Sequence, residues 1–186
     1  MDASSQQLKR MVYAALMAAL TAAGACIAIP LGPVPIVLQN LFIMLAGLLL
    51  GGRWGLISVA VYLLAGAVGL PVFAGGTGGV GKFVGPTGGY LLGFGAAAYL
   101  IGIISESGRG RVTIDVLAMV AGTLIIYAFG VSWLKVVTGI SFSKALTVGM
   151  LPFLIGDALK IAAAIPIARA LRPMMDGTFA AVRAAD

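Results

Sequence analysis

The chain has 186 residues, of which 61% are hydrophobic and only 10% are charged. Soluble domains carry about 25% charged residues, so this composition excludes an ordinary water-facing domain and predicts a single membrane domain spanning residues 1–186. The net charge is +6, but the basic residues stand singly between long uncharged runs. That pattern favours basic loops of a membrane protein over a nucleic-acid-binding surface. There is no histidine and Cys26 is the one cysteine, which excludes a zinc cluster and a disulfide within the chain.

Six transmembrane helices are predicted, because a span needs about 20 predominantly apolar residues and charged residues mark the boundaries. The uncharged run from Met11 to Gly52 is long enough for two spans, and prolines in residues 30–35 divide it. The N-terminal segment resembles the start of a signal peptide, but further spans follow, so the first span is predicted to be retained. In chain order, the predicted spans are Met11–Ile29, Ile36–Leu50, Trp54–Leu70, Gly88–Ile104, Thr113–Val131 and Pro152–Leu171.

The distribution of lysine and arginine predicts that both termini are cytoplasmic, because cytoplasmic loops carry an excess of these residues. This orientation places the glycine-rich stretch Gly75–Gly89, between spans three and four, on the outer side. Trp133, Lys135 and Lys144 are predicted to lie in the outer connection between spans five and six. The basic residues predicted on the cytoplasmic side are Lys9, Arg10, Arg53, Arg109, Arg111, Arg169, Arg172 and Arg183, against Lys82, Lys135 and Lys144 on the outer side.

Asp157 and Lys160 lie inside the predicted sixth span, three residues apart, so they share one face of a helix. A charged residue at the centre of a span costs about 2.5–3.5 kcal/mol, and such residues usually pair, face the interior and mark a pathway or a site. The pair therefore predicts a polar site in the outer half of the membrane. The alternative is a salt bridge that only stabilises span six.

The glycine-rich stretch contains Gly76, Gly78 and Gly81, which match G-x-G-x-x-G, and most of a P-loop ending at Lys82. No soluble βαβ unit surrounds these residues, and Phe83 stands where a P-loop needs Ser or Thr, so nucleotide binding is strongly disfavoured. Glycine allows the backbone to approach a ligand closely, and irregular backbone at membrane depth survives where it lines a cavity. The stretch is therefore predicted to form a cavity wall beside the charged pair, the alternative being a flexible outer loop.

Span one carries small residues at a spacing of four, which allows close approach of another helix in lipid. The pattern indicates either a surface for a partner protein or packing within the chain, and the sequence leaves both open. The two rows are Ala14, Ala18 and Ala22, and Ala15, Ala19 and Ala23.

Three runs of sequence resemble one known family: GLPVFAG at 69–75, GPTGGYLLGF at 85–94 and PFLIGDALK at 152–160. With them the whole chain resembles the BioY family, the biotin-binding substrate components of energy-coupling factor (ECF) transporters. The resemblance implies a six-helix protein of the bacterial cytoplasmic membrane with an outward-facing biotin pocket. It also implies a transmembrane coupling subunit docked on span one and two separate ATPase subunits, so that this chain is no enzyme and needs no cofactor.

Biotin offers two ureido N–H donors, a ureido carbonyl, an apolar bicyclic ring and a carboxylate. In the implied pocket Asp157 accepts from a ureido N–H, and Lys160 donates to the ureido carbonyl, to the carboxylate, or simply compensates Asp157. Aromatic residues suit the apolar ring and chain. The predicted substrate-binding residues are Asp157, Lys160, Tyr90, Phe73, Thr77, Gln39 and Asn40.

Three other functions compete with biotin capture. A proton-coupled transporter of another solute would use Asp157 as the proton carrier. A membrane enzyme would need a catalytic constellation, which is disfavoured because the chain has no histidine and Asp157 and Lys160 are predicted to be the only charges inside spans. A scaffold would use span one and would tolerate Asp157→Ala.

Overall fold

The computed structural model describes residues 3–30, 33–108 and 110–183. Leu31, Gly32 and Arg109, which the predicted boundary and charge count used, lie outside this part, as does the side chain of Arg183. The chain is mainly helical, with one pair of two-residue antiparallel strands, β1 (Ala28–Ile29) and β2 (Ile36–Val37). The helices are α1 (Ala3–Cys26), α2 (Gln39–Ala67), α3 (Gly81–Val84), α4 (Gly88–Ser107), α5 (Val112–Thr138), α6 (Phe142–Gly149) and α7 (Leu154–Arg183), with a 3-10 turn at Leu151–Phe153 before α7.

In the described part of the chain, four helical segments are long and apolar enough to cross a membrane. The prediction of a helical membrane protein is confirmed at that level. Helix α1 has 24 residues but is not one of these four segments. Lys9 and Arg10 lie in its first third, so that it is uncharged only from Met11 onwards. The four segments are Gln39–Ala67, Gly88–Ser107, Val112–Thr138 and Phe142–Met175.

Helix α2 is a hairpin rather than a straight rod. Gly51 leaves the helical conformation with φ 81°, a value that glycine adopts without steric cost. The Tyr62 hydroxyl donates to Gln39 Oε1 at 3.1 Å although the two are 23 residues apart. Along a straight helix they would lie about 34 Å apart. The arms 39–50 and 52–67 therefore lie side by side, and they correspond to the predicted second and third spans.

Glycines bring the hairpin against α4. A Cβ on Gly102 would collide with the backbone of Gly51 and Gly52, and a Cβ on Gly47 would come within 2.8 Å of the Ala98 carbonyl oxygen. Without a hydrophobic driving force between helices in lipid, close packing through small residues holds such an interface together. The hairpin and α4 thus form a close-packed centre, against which α1, α5 and α7 pack.

Gly102→Ala is expected to destabilise the protein by about 1–3 kcal/mol, because the added methyl group must displace backbone atoms at this interface. Gly156→Ala is the matched control, since Gly156 is also helical but has no atom within 4 Å of its Cβ position. The control should be neutral or slightly stabilising, because alanine favours a helix over glycine. Thermal unfolding of both variants in detergent measures the difference, and equal unfolding temperatures would contradict the prediction.

The predicted boundary after Val131 is wrong. Helix α5 continues to Thr138, so Trp133 and Lys135 lie in it rather than in a connection, and Lys144 lies in α6. The helix ends where Gly139 adopts φ 69° at its C-cap, the left-handed conformation that commonly terminates helices. Two charged or aromatic residues do not by themselves end a helix whose backbone hydrogen bonds continue.

A second buried ion pair contradicts the prediction that Asp157 and Lys160 are the only charges inside spans. Arg172 Nη1 lies 2.6 Å from Asp115 Oδ2 and Arg172 Nη2 lies 2.9 Å from Asp115 Oδ1. Ser105 Oγ donates to the same carboxylate at 2.6 Å. Arg172 Nη2 also approaches the Leu48 carbonyl at 3.4 Å, an acceptor near the break at Gly51. This network joins α4, α5, α7 and the first arm of α2.

Candidate functional site

A cavity of about 450 Å³ opens among the N-terminal ends of α2, α4 and α7 and the middle of α5. The glycine-rich connection between α2 and α4 and the segment before α2 complete its walls. This volume lies within the range of about 300–1,000 Å³ typical of small-molecule sites. Six of the seven predicted substrate-binding residues line it, namely Gln39, Asn40, Phe73, Thr77, Tyr90 and Lys160.

Asp157 does not line the cavity but holds two groups that do. Its Oδ1 accepts from Lys160 Nζ at 2.8 Å, and its Oδ2 accepts from the Tyr127 hydroxyl. Asp157 is only 3% exposed and Lys160 8%. The carboxylate therefore fixes an ammonium and a phenol at the cavity surface. Lys160 keeps two further N–H donors, and the Tyr127 oxygen keeps its acceptor capacity.

Tyr127 is a site residue that the sequence interpretation missed. It stands in an uninterrupted apolar run of α5, 30 residues before Asp157, where nothing local marks it as polar. The usable signal is general: a buried tyrosine hydroxyl usually finds a hydrogen-bond partner, and Asp157 is a buried acceptor that needs donors.

Gln39 and Asn40 supply amide groups at the start of α2. The Tyr62 hydroxyl occupies Gln39 Oε1, which leaves the Gln39 amide N–H groups to donate. Asn40 Oδ1 is buried and has no hydrogen-bond partner within the described part of the chain. Because a buried carbonyl oxygen without a partner is costly, Asn40 Oδ1 is a candidate acceptor for a ligand N–H.

The glycine-rich connection forms an ordered wall. The Phe73 N–H donates to the Thr77 carbonyl at 2.8 Å, and the Gly79 N–H donates to the Gly66 carbonyl at 2.7 Å. On the far side, Trp133 Nε1 donates to the Gly85 carbonyl at 3.0 Å. These bonds attach the connection to α2 and α5, so that its residues face the cavity from fixed positions.

Tyr90 joins the cavity to the segment between α5 and α7. Its ring lines the cavity, and its hydroxyl donates to the Gly149 carbonyl at the end of α6 at 2.8 Å. The 3-10 turn that follows brings Phe153 to the same cavity. Tyr90 is thus both an apolar wall and a structural link.

The two alanine rows of α1 have different environments. Ala14 and Ala18 are buried within the chain, at 3% and 6% exposure, and Ser58 Oγ donates to the Ala14 carbonyl at 2.8 Å. Ala22 is half-buried and packs against the core cluster that contains Ala18. For this row packing within the chain is the observed role, so the prediction of a partner surface is wrong for Ala14 and Ala18. The other row is exposed: Ala15, Ala19 and Ala23.

A cavity lined by apolar and aromatic side chains with a few fixed donors and acceptors, set among membrane-length helices, defines a membrane-embedded small-molecule-binding protein. The described residues contain no group of three or more His, Cys, Asp or Glu side chains that could hold a metal ion. The family model of the BioY family matches residues 1–177, and the chain belongs to that family. The resemblance noted in the sequence is confirmed.

Similar proteins cover nearly the whole chain. It is 43% identical over 164 residues to the probable biotin transporter BioY of Pyrococcus horikoshii, covering 88% of this chain and 96% of that one. It is 42% identical over 167 residues to the biotin transporter BioY of Thermotoga maritima, covering 90% and 98%. A crystal structure of the S-component for biotin from an ECF-type ABC transporter superposes with a TM-score of 0.89 at 32% identity, covering 96% and 100%. These relatives are named as transporters and not as enzymes.

Proposed function

We propose that this chain is the membrane subunit that binds biotin for uptake. The observation that carries the proposal is the Asp157–Lys160–Tyr127 group at a cavity of ligand size, in a chain whose relatives are named biotin transporters. A ureido group presents a carbonyl next to an N–H. Lys160 donates to that carbonyl, and the Tyr127 oxygen accepts from that N–H, while Asp157 keeps both in place.

The rest of the cavity suits the remainder of biotin. Asn40 Oδ1 accepts from the second ureido N–H, and the Gln39 amide adds a donor. The bicyclic ring and aliphatic chain lie against apolar and aromatic side chains, whose burial of ligand surface contributes about 25 cal/mol per Å². The main apolar contacts are Phe73, Tyr90, Leu91, Phe94 and Ile126.

The proposed topology has six membrane-crossing helices, counting both arms of the α2 hairpin together with α1, α4, α5 and α7. Both termini are cytoplasmic, which the excess of Lys and Arg at that end supports. The cavity then opens to the outside, at the end of the molecule that carries the glycine-rich connection. The membrane is the cytoplasmic membrane.

Separate subunits energise the transport. The match to an ECF-type S-component supports a transmembrane coupling subunit and two ATPase subunits as partners. The exposed alanine row that starts at Ala15 and Ala19 is the surface for the coupling subunit, because small side chains let a partner helix approach closely. Phe83 after Lys82 removes the Ser or Thr that a P-loop needs, so ATP is hydrolysed elsewhere.

Uptake of radiolabelled biotin by cells without a biotin transporter of their own tests this function. The chain expressed with coupling and ATPase subunits should accumulate biotin, and depletion of ATP should abolish this accumulation. Cells that express the Asp157→Asn variant with the same subunits should not accumulate biotin. A protonophore at maintained ATP should have little effect. Accumulation by the chain alone that collapses with the protonophore would contradict the proposal and favour a proton-coupled transporter.

A further inference from the structure

The cavity carries an unbalanced positive charge. Among the described residues that line it, the charged ones are Lys82 and Lys160. Lys160 is neutralised by Asp157 at 2.8 Å. The Lys82 ammonium has no ion pair or hydrogen bond to another described residue. A ligand with one negative charge would therefore restore neutrality in the cavity.

Lys82 is held in position by its surroundings. It lies in the short helix α3 and is partly buried. The next residue, Phe83, packs edge-on against Phe73 with ring centroids 5.7 Å apart. Three residues after Lys82, Gly85 accepts the Trp133 indole hydrogen bond at 3.0 Å. Since the backbone on both sides is fixed, only the lysine side chain has to be ordered when an anion binds the ammonium, which favours binding over a site on a mobile loop.

The two lysines lie on different parts of the cavity. Lys160 is six residues into α7, about 9 Å along the helix, whereas Lys82 is on the glycine-rich connection that forms another wall of the cavity. Apolar and aromatic side chains make up much of the remaining lining. This arrangement fits a ligand with an uncharged polar head, an apolar body and an anionic tail.

We propose that Lys82 binds the carboxylate of the ligand and that the chain thereby selects free biotin over its neutral amides and esters. The inference rests on the proposed function, since it takes biotin as the ligand. It assigns Lys160 to the ureido carbonyl and Lys82 to the other end of the molecule. A charge-assisted hydrogen bond at a partly buried site gives an expected preference of about tenfold.

Calorimetric titration with biotin, biotinamide and biotin methyl ester tests the assignment. The wild type should bind biotin about tenfold more tightly than either neutral analogue. Lys82→Met should bind all three with similar affinity, and Lys82→Arg should keep the preference. Lys144→Met is the control, because Lys144 is exposed on α6 and does not line the cavity; its affinities should match the wild type.

Several outcomes would overturn the inference. A preference for biotin that survives in Lys82→Met would place the carboxylate at another group. Equal binding of all three ligands by the wild type would show that the carboxylate is not recognised. A parallel loss of all three ligands in a Lys82→Met protein with unchanged unfolding temperature would make Lys82 a general wall residue. If the folded wild type bound none of them, the proposed function itself would fail, and the inference with it.

Discussion

Asp157→Asn is expected to weaken biotin binding on the order of 100-fold, which corresponds to about 3 kcal/mol. The substitution removes the charge that balances Lys160 and weakens the bond that orients Tyr127. Removing one partner of a buried ion pair typically costs about 3–5 kcal/mol, because the remaining charge stays buried. Calorimetry on the purified variant gives the affinity, and thermal unfolding in the same detergent shows how much of the cost falls on stability.

A variant of Tyr127 separates the role of the hydrogen bond from that of the charge. Tyr127→Phe keeps the ion pair and removes one hydrogen bond to a charged group, so a smaller loss of roughly tenfold is expected. Leu159→Ala is the neutral control, since Leu159 is 67% exposed on the same helix. Wild-type affinity in Asp157→Asn together with a large loss in Tyr127→Phe would refute the positioning role of Asp157.

Arg172→Met is expected to lower the free energy of unfolding by about 3–5 kcal/mol while leaving biotin affinity unchanged. The variant removes the charged partner of the Asp115 carboxylate. Asp115 is 4% exposed and would keep only the hydrogen bond from Ser105. No residue of this network lines the cavity, so the folded fraction should bind the ligand normally. Denaturant titration in mixed micelles measures the stability, and calorimetry measures the binding.

The comparison variant is Arg169→Met, one turn earlier on α7 and exposed. It should change stability little, because exposed charges contribute roughly 0–1 kcal/mol. A normal unfolding curve for Arg172→Met combined with weakened biotin binding would contradict the account. It would mean that the network acts on the site rather than on the scaffold.

Local signals in the sequence predicted much of this structure. Long apolar runs located the helices, and the spacing of Asp157 and Lys160 predicted their ion pair. The glycine-rich stretch at 75–89 predicted a cavity wall beside that pair, and this connection between α2 and α4 does line the cavity. Each of these depends on residues close together in the chain, where the physical consequence of residue type and spacing is direct. The identity of the substrate was predicted from the resemblance to a family, because residue spacing and charge indicate only that the ligand is a small solute.

Long-range contacts could not be predicted in this way. Asp115 and Arg172 are 57 residues apart, and Tyr127 meets Asp157 across 30 residues. The burial of Ala14 and the exposure of Ala15 depend on where α2 lies beside α1, which a spacing of four does not encode. For the same reason the sequence did not show that Asp157 would hold cavity residues without lining the cavity.

Calorimetric titration of the purified, ligand-free chain with biotin is the most direct test that this cavity binds biotin. We expect saturable binding of one biotin per chain, with a large loss of affinity in Asp157→Asn and none in Arg172→Met. Absence of binding to folded protein would contradict the claim, and so would binding that Asp157→Asn leaves intact.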